Sequence, residues 1–216
     1  MEINTGERRI QNVDAFRQKT AAFIVSLNSS IMAMCREKTV PCIDLYSIFG
    51  SPGIPDLLDP KYSIGDNAHL NIDGQIMLAK AFYEGYFKDA EGLGTVVCLG
   101  DSHTQGFPIR DTSRNGLPID LSIDSPHQFP YHLAKLTGSV FINCGISGNT
   151  LYGMKNRFES DVLPHFPDHC VIQGGTNDSL IGIYLEESRA DMLTIIEKCM
   201  ENDIVPVVGT VVPLGF

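Results

Sequence analysis

From about Glu7 to Glu37, apolar side chains at Ile10, Val13, Phe16, Phe23, Leu27, Ile31 and Met34 recur at helical spacing. That period predicts one long amphipathic helix. Asn4 and Glu7 have the spacing of a capping box at its start. "VPCIDLYSIF" (40–49) then reads as a strand, and "SPGIPDLLDP" (51–60), with its prolines, as a loop. A second helix is expected over Asp73–Phe87, with Ile76, Met77, Ala79, Phe82 and Tyr86 on its inner face. "KDAEGLG" (88–94) is charged and bears glycine, as a linker does. The run "TVVCLG" (95–100) is continuously apolar and suits a strand covered on both faces. Beyond it come strand "SVFINCG" (139–145), a helix near Leu151–Phe158, strand "HCVIQGG" (169–175), a helix over Glu186–Glu201 and strand "IVPVVGTVV" (204–212). Strand and helix in alternation predict an α/β fold with a mostly parallel sheet.

At 216 residues the chain fits one α/β domain, so 1–216 is expected to fold as a unit. Apolar residues make up 43% and charged residues 19%, the balance of a folded protein. A net charge of -10 repels phosphate backbones and anionic lipid, which argues against a nucleic-acid partner. No apolar run is long enough to cross a bilayer, and the N-terminus reads as charged helix rather than signal peptide. The six cysteines lie mostly in apolar stretches without a CxxC pair, so they read as small buried residues in a reducing cytoplasm. The six histidines show no HExxH spacing. Neither a metal nor a cofactor is expected.

Chemistry enters with "GDSHTQG" (100–106), which follows the apolar run directly and places Ser102 at a strand's carboxyl end. Ligands bind at that edge of open α/β sheets. A serine hydroxyl needs a base to take its proton, and "GDNAHLN" (65–71) offers His69, with Asp66 three residues earlier to orient it. Asp124 and His127 in "IDSPHQF" have the same spacing, and His103 adjoins Ser102, although adjacent side chains usually diverge. Acyl transfer also needs donors for an oxyanion. In "NCGISGNT" (143–150) the Gly148 amide is the candidate, with Gly145 as its substitute, and "GGTND" (174–178) supplies Asn177. Turn geometry is the plain alternative for the glycines, and a helix cap for Asn177.

"GDSHT", "NCGISGNT", "GGTND" and "DNAHLN" together resemble the four signature blocks of the SGNH hydrolases, the GDSL esterase/lipase superfamily, and the match extends to Asn143 and Arg157. The resemblance implies a three-layer α/β/α sandwich with a flavodoxin-like five-stranded parallel sheet. It implies Ser102 as nucleophile, His69 and Asp66 as the rest of a triad, and the Ser102 amide, Gly148 and Asn177 as oxyanion donors. In the family the histidine block leads into a terminal helix, as "DNAHLN" does here, so Asp124 and His127 read as structural.

The blocks stand in the reverse of the family's usual order. Residues 1–87 resemble its C-terminal part and residues 95–216 its N-terminal part, which is the arrangement of a circular permutation. A natural permutation, an engineered one and a segment cut across tandem domains would each produce it. The linker at 88–94 can span up to about 23 to 25 Å, enough to join the old ends. A monomer and a domain-swapped dimer satisfy the same interface.

The expected activity is that of a serine esterase or acylhydrolase on a small-molecule ester. The mixed polarity of residues 107–127 favours short acyl groups, such as acetyl esters of carbohydrates. An acyltransferase on the same scaffold and a non-catalytic binding domain are the alternatives.

Overall fold

The apolar runs form the centre of the molecule. A computed structural model describes residues 5–107, 118–120 and 125–215. In chain order the elements are helix α1 (Thr5–Lys38), strand β1 (Cys42–Ile43), helix α2 (Leu45–Phe49), strands β2 (Gly50–Ser51) and β3 (Ile54–Leu58), and helix α3 (Ile72–Phe82). They continue with β4 (Thr95–Gly100), α4 (Ser102–Gln105), α5 (Phe129–Thr137), β5 (Val140–Gly145), α6 (Leu151–Asn156) and α7 (Phe158–Asp161). The chain closes with β6 (His169–Gln173), α8 (Thr176–Ile181), α9 (Leu185–Glu201) and β7 (Val205–Gly209).

Five strands make one parallel sheet in the order β1-β7-β6-β4-β5. The side-chain period of two divides its central strands between two cores. Val97 and Leu99 of β4 join Ile24, Leu27, Leu151, Met154, Met192 and Ile195 from α1, α6 and α9. Val96 and Cys98 join Leu78, Phe82, Phe129 and Leu133 from α3 and α5 on the other face. Helices thus cover both faces of the sheet, giving the three-layer α/β/α arrangement. All six cysteines are free, and every one but Cys42 is buried.

Register fixes the chemistry-bearing ends. Gly100 pairs with Gly145 on one side and with Gln173 on the other, so the carboxyl ends of β4, β5 and β6 share one edge. Residues 88–94 connect α3 and its terminal π turn (Tyr83–Phe87) to β4, with Gly92 and Gly94 in left-handed conformations.

Four local expectations need correction. Residues 40–49 are strand only at Cys42–Ile43, because the Asp44 carboxylate accepts from the Ser47 amide and starts α2. Residues 51–60 are not all loop: Ile54–Leu58 pairs antiparallel with Gly50–Ser51. In α1 the inner face runs through Thr20, Ile24, Leu27, Asn28, Ile31 and Cys35, whereas Val13 and Phe16 are 47% and 44% exposed. Residues 13–19 are exposed throughout, so the helical period continues there without burial. Asn4 of the expected capping box lies outside the described residues.

The last expected strand, 204–212, ends at Gly209; the Thr210 amide still donates to the Ile43 carbonyl of β1 at 3.0 Å, and at Val211 Asn28 takes over. Its Oδ1 accepts from the Val211 amide at 2.8 Å and its Nδ2 donates to the Val211 carbonyl at 2.9 Å, imitating a strand partner from within α1.

Candidate active site

Asp101 ends the β4 turn by accepting the His103 amide at 3.0 Å, which starts the short helix α4 at Ser102. The turn is tight. A Cβ on Gly100 would lie 2.6 Å from the Gln173 carbonyl oxygen. Ser102 is 6% exposed and stands at the shared carboxyl edge.

The histidine loop reaches this serine from the other part of the chain. Asp66 Oδ1 accepts the amides of Ala68 at 3.0 Å and His69 at 2.8 Å, folding 66–69 into a turn. The same carboxylate, through Oδ2, pairs with His69 Nδ1 at 2.5 Å. His69 Nε2 then lies 3.0 Å from Ser102 Oγ, and the Phe107 ring packs against the imidazole at 4.2 Å between centroids. Asn71, next after Leu70, caps α3 through the Gly74 amide and donates to the Lys61 and Ser63 carbonyls, which anchors the loop's far end.

Burial pushes the Asp66 carboxyl up, but the amides of His69 and Ala68 and the imidazole outweigh it, leaving the group below the ordinary carboxylate range. Asp101 shows the opposite balance. Its complete burial dominates and holds its carboxyl above the ordinary range, with Oδ2 unpartnered.

The glycine loop after β5 is tied to α4 at several points. Asn143 Oδ1 accepts the Gly145 amide at 2.9 Å while Nδ2 donates to the Thr104 carbonyl at 2.9 Å. Gln105 Oε1 accepts the Ser147 amide at 2.7 Å. Arg157 donates to Asn149 Oδ1 and to the Gly100 carbonyl, both at 2.8 Å, and pairs with Asp161. These bonds occupy the amides of Gly145 and Ser147, whereas no described hydrogen bond takes the Gly148 amide. Gly148 itself has φ +79, which glycine adopts without strain. Asn177, in the first turn of α8, donates through Nδ2 to the Asn149 carbonyl at 3.0 Å, so one amide hydrogen stays uncommitted.

The structure therefore brings Ser102, His69 and Asp66 together, and among the described hydrogen bonds none joins His127 of the second DxxH pair to Ser102. His127 contacts Ser125 instead, at 3.4 Å from its Oγ, and Asp124 lies outside the described residues. His103 turns away from the serine hydroxyl, as adjacent side chains do, and its Nε2 meets the Ala68 carbonyl. Gln75 and Gln105 were not foreseen. Their amides bond to backbone groups, and no spacing in the sequence announces such contacts. Among the described residues, no group of three or more His, Cys, Asp or Glu side chains is placed to hold a metal ion, and no helix is long and apolar enough to cross a membrane.

Comparison with known proteins adds a family. Residues 98–216 match the GDSL-like Lipase/Acylhydrolase family. The "Uncharacterized lipoprotein YqeF" of Bacillus subtilis (strain 168) is 26% identical over 134 residues, covering 58% of this chain and 51% of the relative, so the chain spans about half that protein's length. Among solved structures, AlinE4, an SGNH-hydrolase family esterase, is 20% identical, with 56% of this chain and 60% of that chain covered and a TM-score of 0.44. A catalytic mutant of Axe2, an acetylxylan esterase from Geobacillus stearothermophilus, is 22% identical, with 53% and 58% covered and a TM-score of 0.41.

Proposed function

The chain belongs to the GDSL-like lipase/acylhydrolase family, and from that premise we propose that it is a serine esterase whose nucleophile is Ser102. The observation that carries the reading is the chain of contacts from Asp66 Oδ2 to His69 Nδ1 at 2.5 Å and from His69 Nε2 to Ser102 Oγ at 3.0 Å. A carboxylate accepts only, so Nδ1 carries the proton and Nε2 presents its lone pair to the hydroxyl.

In this reading Ser102 Oγ bonds to the ester carbonyl carbon while its proton passes to His69 Nε2. The carbonyl oxygen becomes an oxyanion, and the amides of Ser102 and Gly148 with the uncommitted hydrogen of Asn177 donate to it. Collapse expels the alcohol oxygen, which takes the proton from His69. Water then attacks the acyl-enzyme, giving a proton to His69, and the acid leaves as that proton returns to Ser102. Asp66 holds the ring in the required tautomer and stabilises the imidazolium formed at each step.

Short acyl groups are the preferred substrates in this proposal, with acetyl esters of carbohydrates as the test case. Support comes from the Phe107 ring lying against His69, which narrows the approach on that side of the imidazole. The mixed polarity of residues 107–127 points the same way.

The circular permutation is part of the same proposal. The sheet order supports it: β1, first in the chain, adds parallel to β7, the last strand, at the sheet's edge. Moving residues 1–87 behind residue 216 would turn the order into the 2-1-3-4-5 pattern of flavodoxin-like sheets. The contacts between the two parts can be satisfied within one chain or between two, and light scattering tells these apart. The six free thiols fit the cytoplasmic placement, which cell fractionation tests.

The deciding experiment is hydrolysis of p-nitrophenyl esters from acetyl to long acyl chains, with Ser102→Ala beside the parent. Turnover that depends on Ser102 and falls with chain length supports the proposal. Turnover retained in Ser102→Ala removes it.

A further inference from the structure

His103 sits beside the nucleophile yet is 2% exposed and takes no part in the reaction outlined above. Its Nε2 lies 2.7 Å from the Ala68 carbonyl oxygen, which can only accept, so Nε2 carries the proton. Nδ1 faces the Gln173 side-chain nitrogen at 3.4 Å, at the end of β6. The His103 carbonyl in turn accepts from Gln75 Nε2 at 3.1 Å, while Gln75 Oε1 takes the Phe129 amide at 2.9 Å. The residue thus binds α3 and the histidine loop to the nucleophile turn by both its ring and its backbone.

The acceptor matters. The Ala68 carbonyl and the His69 amide belong to one peptide unit, whose N–H is held by Asp66 Oδ1 at 2.8 Å and whose oxygen is held by His103. A planar peptide held at both ends fixes the position of the His69 Cα, and the bond from Nδ1 to Asp66 Oδ2 then holds the ring. Asp66 acts from inside the loop and moves with it. His103 acts from α4, the element that also carries Ser102, and so refers the position of His69 to the serine. The rings of His69 and His103 meet edge to face, 5.9 Å between centroids, without a hydrogen bond between them.

We propose that His103 is a positioning residue, its Nε2–H clamping the Ala68–His69 peptide onto the nucleophile turn so that His69 Nε2 is held at bonding distance from Ser102 Oγ. The inference rests on the reading of Ser102 and His69 as nucleophile and base. It has a signature that a general contribution to folding lacks. Asp66 and His69 share one turn, so releasing the clamp shifts them together relative to Ser102 and leaves their mutual pairing intact. The maximal rate falls while the pH inflection of kcat/KM stays where it was.

Two amide replacements test this. In H103Q the side-chain nitrogen can take the place of Nε2 and donate to the Ala68 carbonyl. In H103N the shorter amide reaches only the place of Nδ1, toward Gln173, and misses Ala68. With melting temperature recorded for both and Ser102→Ala run alongside, H103N is expected to lower kcat by about 10 to 100-fold, in line with the cost of a misplaced catalytic group. KM and the pH inflection should stay unchanged, and H103Q should recover most of the rate. Equal activity in the two variants, whether both are unimpaired or both equally impaired with the fold intact, overturns the clamp. So does a displaced pH inflection in H103N, since that would mean His103 acts on the charge of His69. Turnover persisting in Ser102→Ala would instead remove the underlying reading of the nucleophile.

Discussion

His69 Nε2 lies 3.0 Å from Ser102 Oγ, although the histidine precedes the serine by 33 positions and enters the site from the other side of the 88–94 linker. That approach depends on the sheet rather than on local sequence. Gly100 ends β4 beside the ends of β5 and β6, and α3 returns from the histidine loop to pack on α5 below that edge. The pair forms only once the two parts of the chain have docked.

Removing the hydroxyl should therefore end catalysis without unfolding the protein. Ser102→Ala is expected to lose all ester turnover and all labelling by a fluorophosphonate, with a melting temperature near the parent's. The Ser102 carbonyl, which accepts the Gly106 amide at 3.0 Å, is untouched by the change.

Asn177→Ala should lower kcat by roughly 100 to 1000-fold, the range for loss of one oxyanion donor, with little change in KM. The substitution also removes the bond from Nδ2 to the Asn149 carbonyl. A rise in KM comparable to the fall in kcat would mean that the residue shapes the loop rather than the transition state.

Asp66 and Asp101 should respond to pH with opposite signs. For Asp66, burial raises the carboxyl, but the His69 and Ala68 amides and the imidazole lower it further, so its folded value lies below its unfolded one. Such a group stabilises the fold above the unfolded pKa of about 3.9 and loses that contribution as pH falls through the folded value. Asp66→Asn should melt below the parent near neutral pH, with the gap closing in acid. Melting curves across pH measure it.

For Asp101, burial dominates and the folded value is raised. Its contribution is then full below about pH 3.9 and is lost as pH rises through the folded value. Asp101→Asn keeps an oxygen for the His103 amide, so it should melt above the parent at neutral pH and match it in acid. A neutral-pH melting temperature below the parent's would show that the charge is stabilised by something beyond these contacts.

Much of this architecture was legible in the sequence because a strand covered on both faces has no alternating polar positions, and the apolar runs 96–100 and 170–172 have none to interrupt them. The same logic misread 40–49, where one carboxylate at Asp44 converts an apolar run into a helix start. It misread 54–58 because prolines suggested loop, and it extended the inner face of α1 to Val13 and Phe16, since periodicity does not record where the neighbouring elements stop. At the site, the Asp66 and His69 spacing was visible as a pattern. His103 was visible only as a neighbour of Ser102, and Gln75 and Gln105 were not visible at all, because each bonds to backbone groups, which every residue offers.

The two loop glycines show what geometry adds to such a reading, since the sequence alone left Gly148 and Gly145 both open as donors. A Cβ on Gly145 would overlap the Gln105 amide nitrogen and lie 2.6 Å from the Thr104 carbonyl carbon, both backbone atoms of α4 that cannot move without moving Ser102. A Cβ on Gly148 meets nothing within 4 Å, and its cost is only that of φ +79. Gly145→Ala should accordingly destabilise by about 1 to 3 kcal/mol or more, as overpacking does, and depress activity through the displaced helix. Gly148→Ala should cost about 1 to 2 kcal/mol from the left-handed backbone alone. Denaturant midpoints rank the pair, and a Gly145→Ala protein as stable as Gly148→Ala would mean that the β5 loop is not seated on α4 as the contacts require.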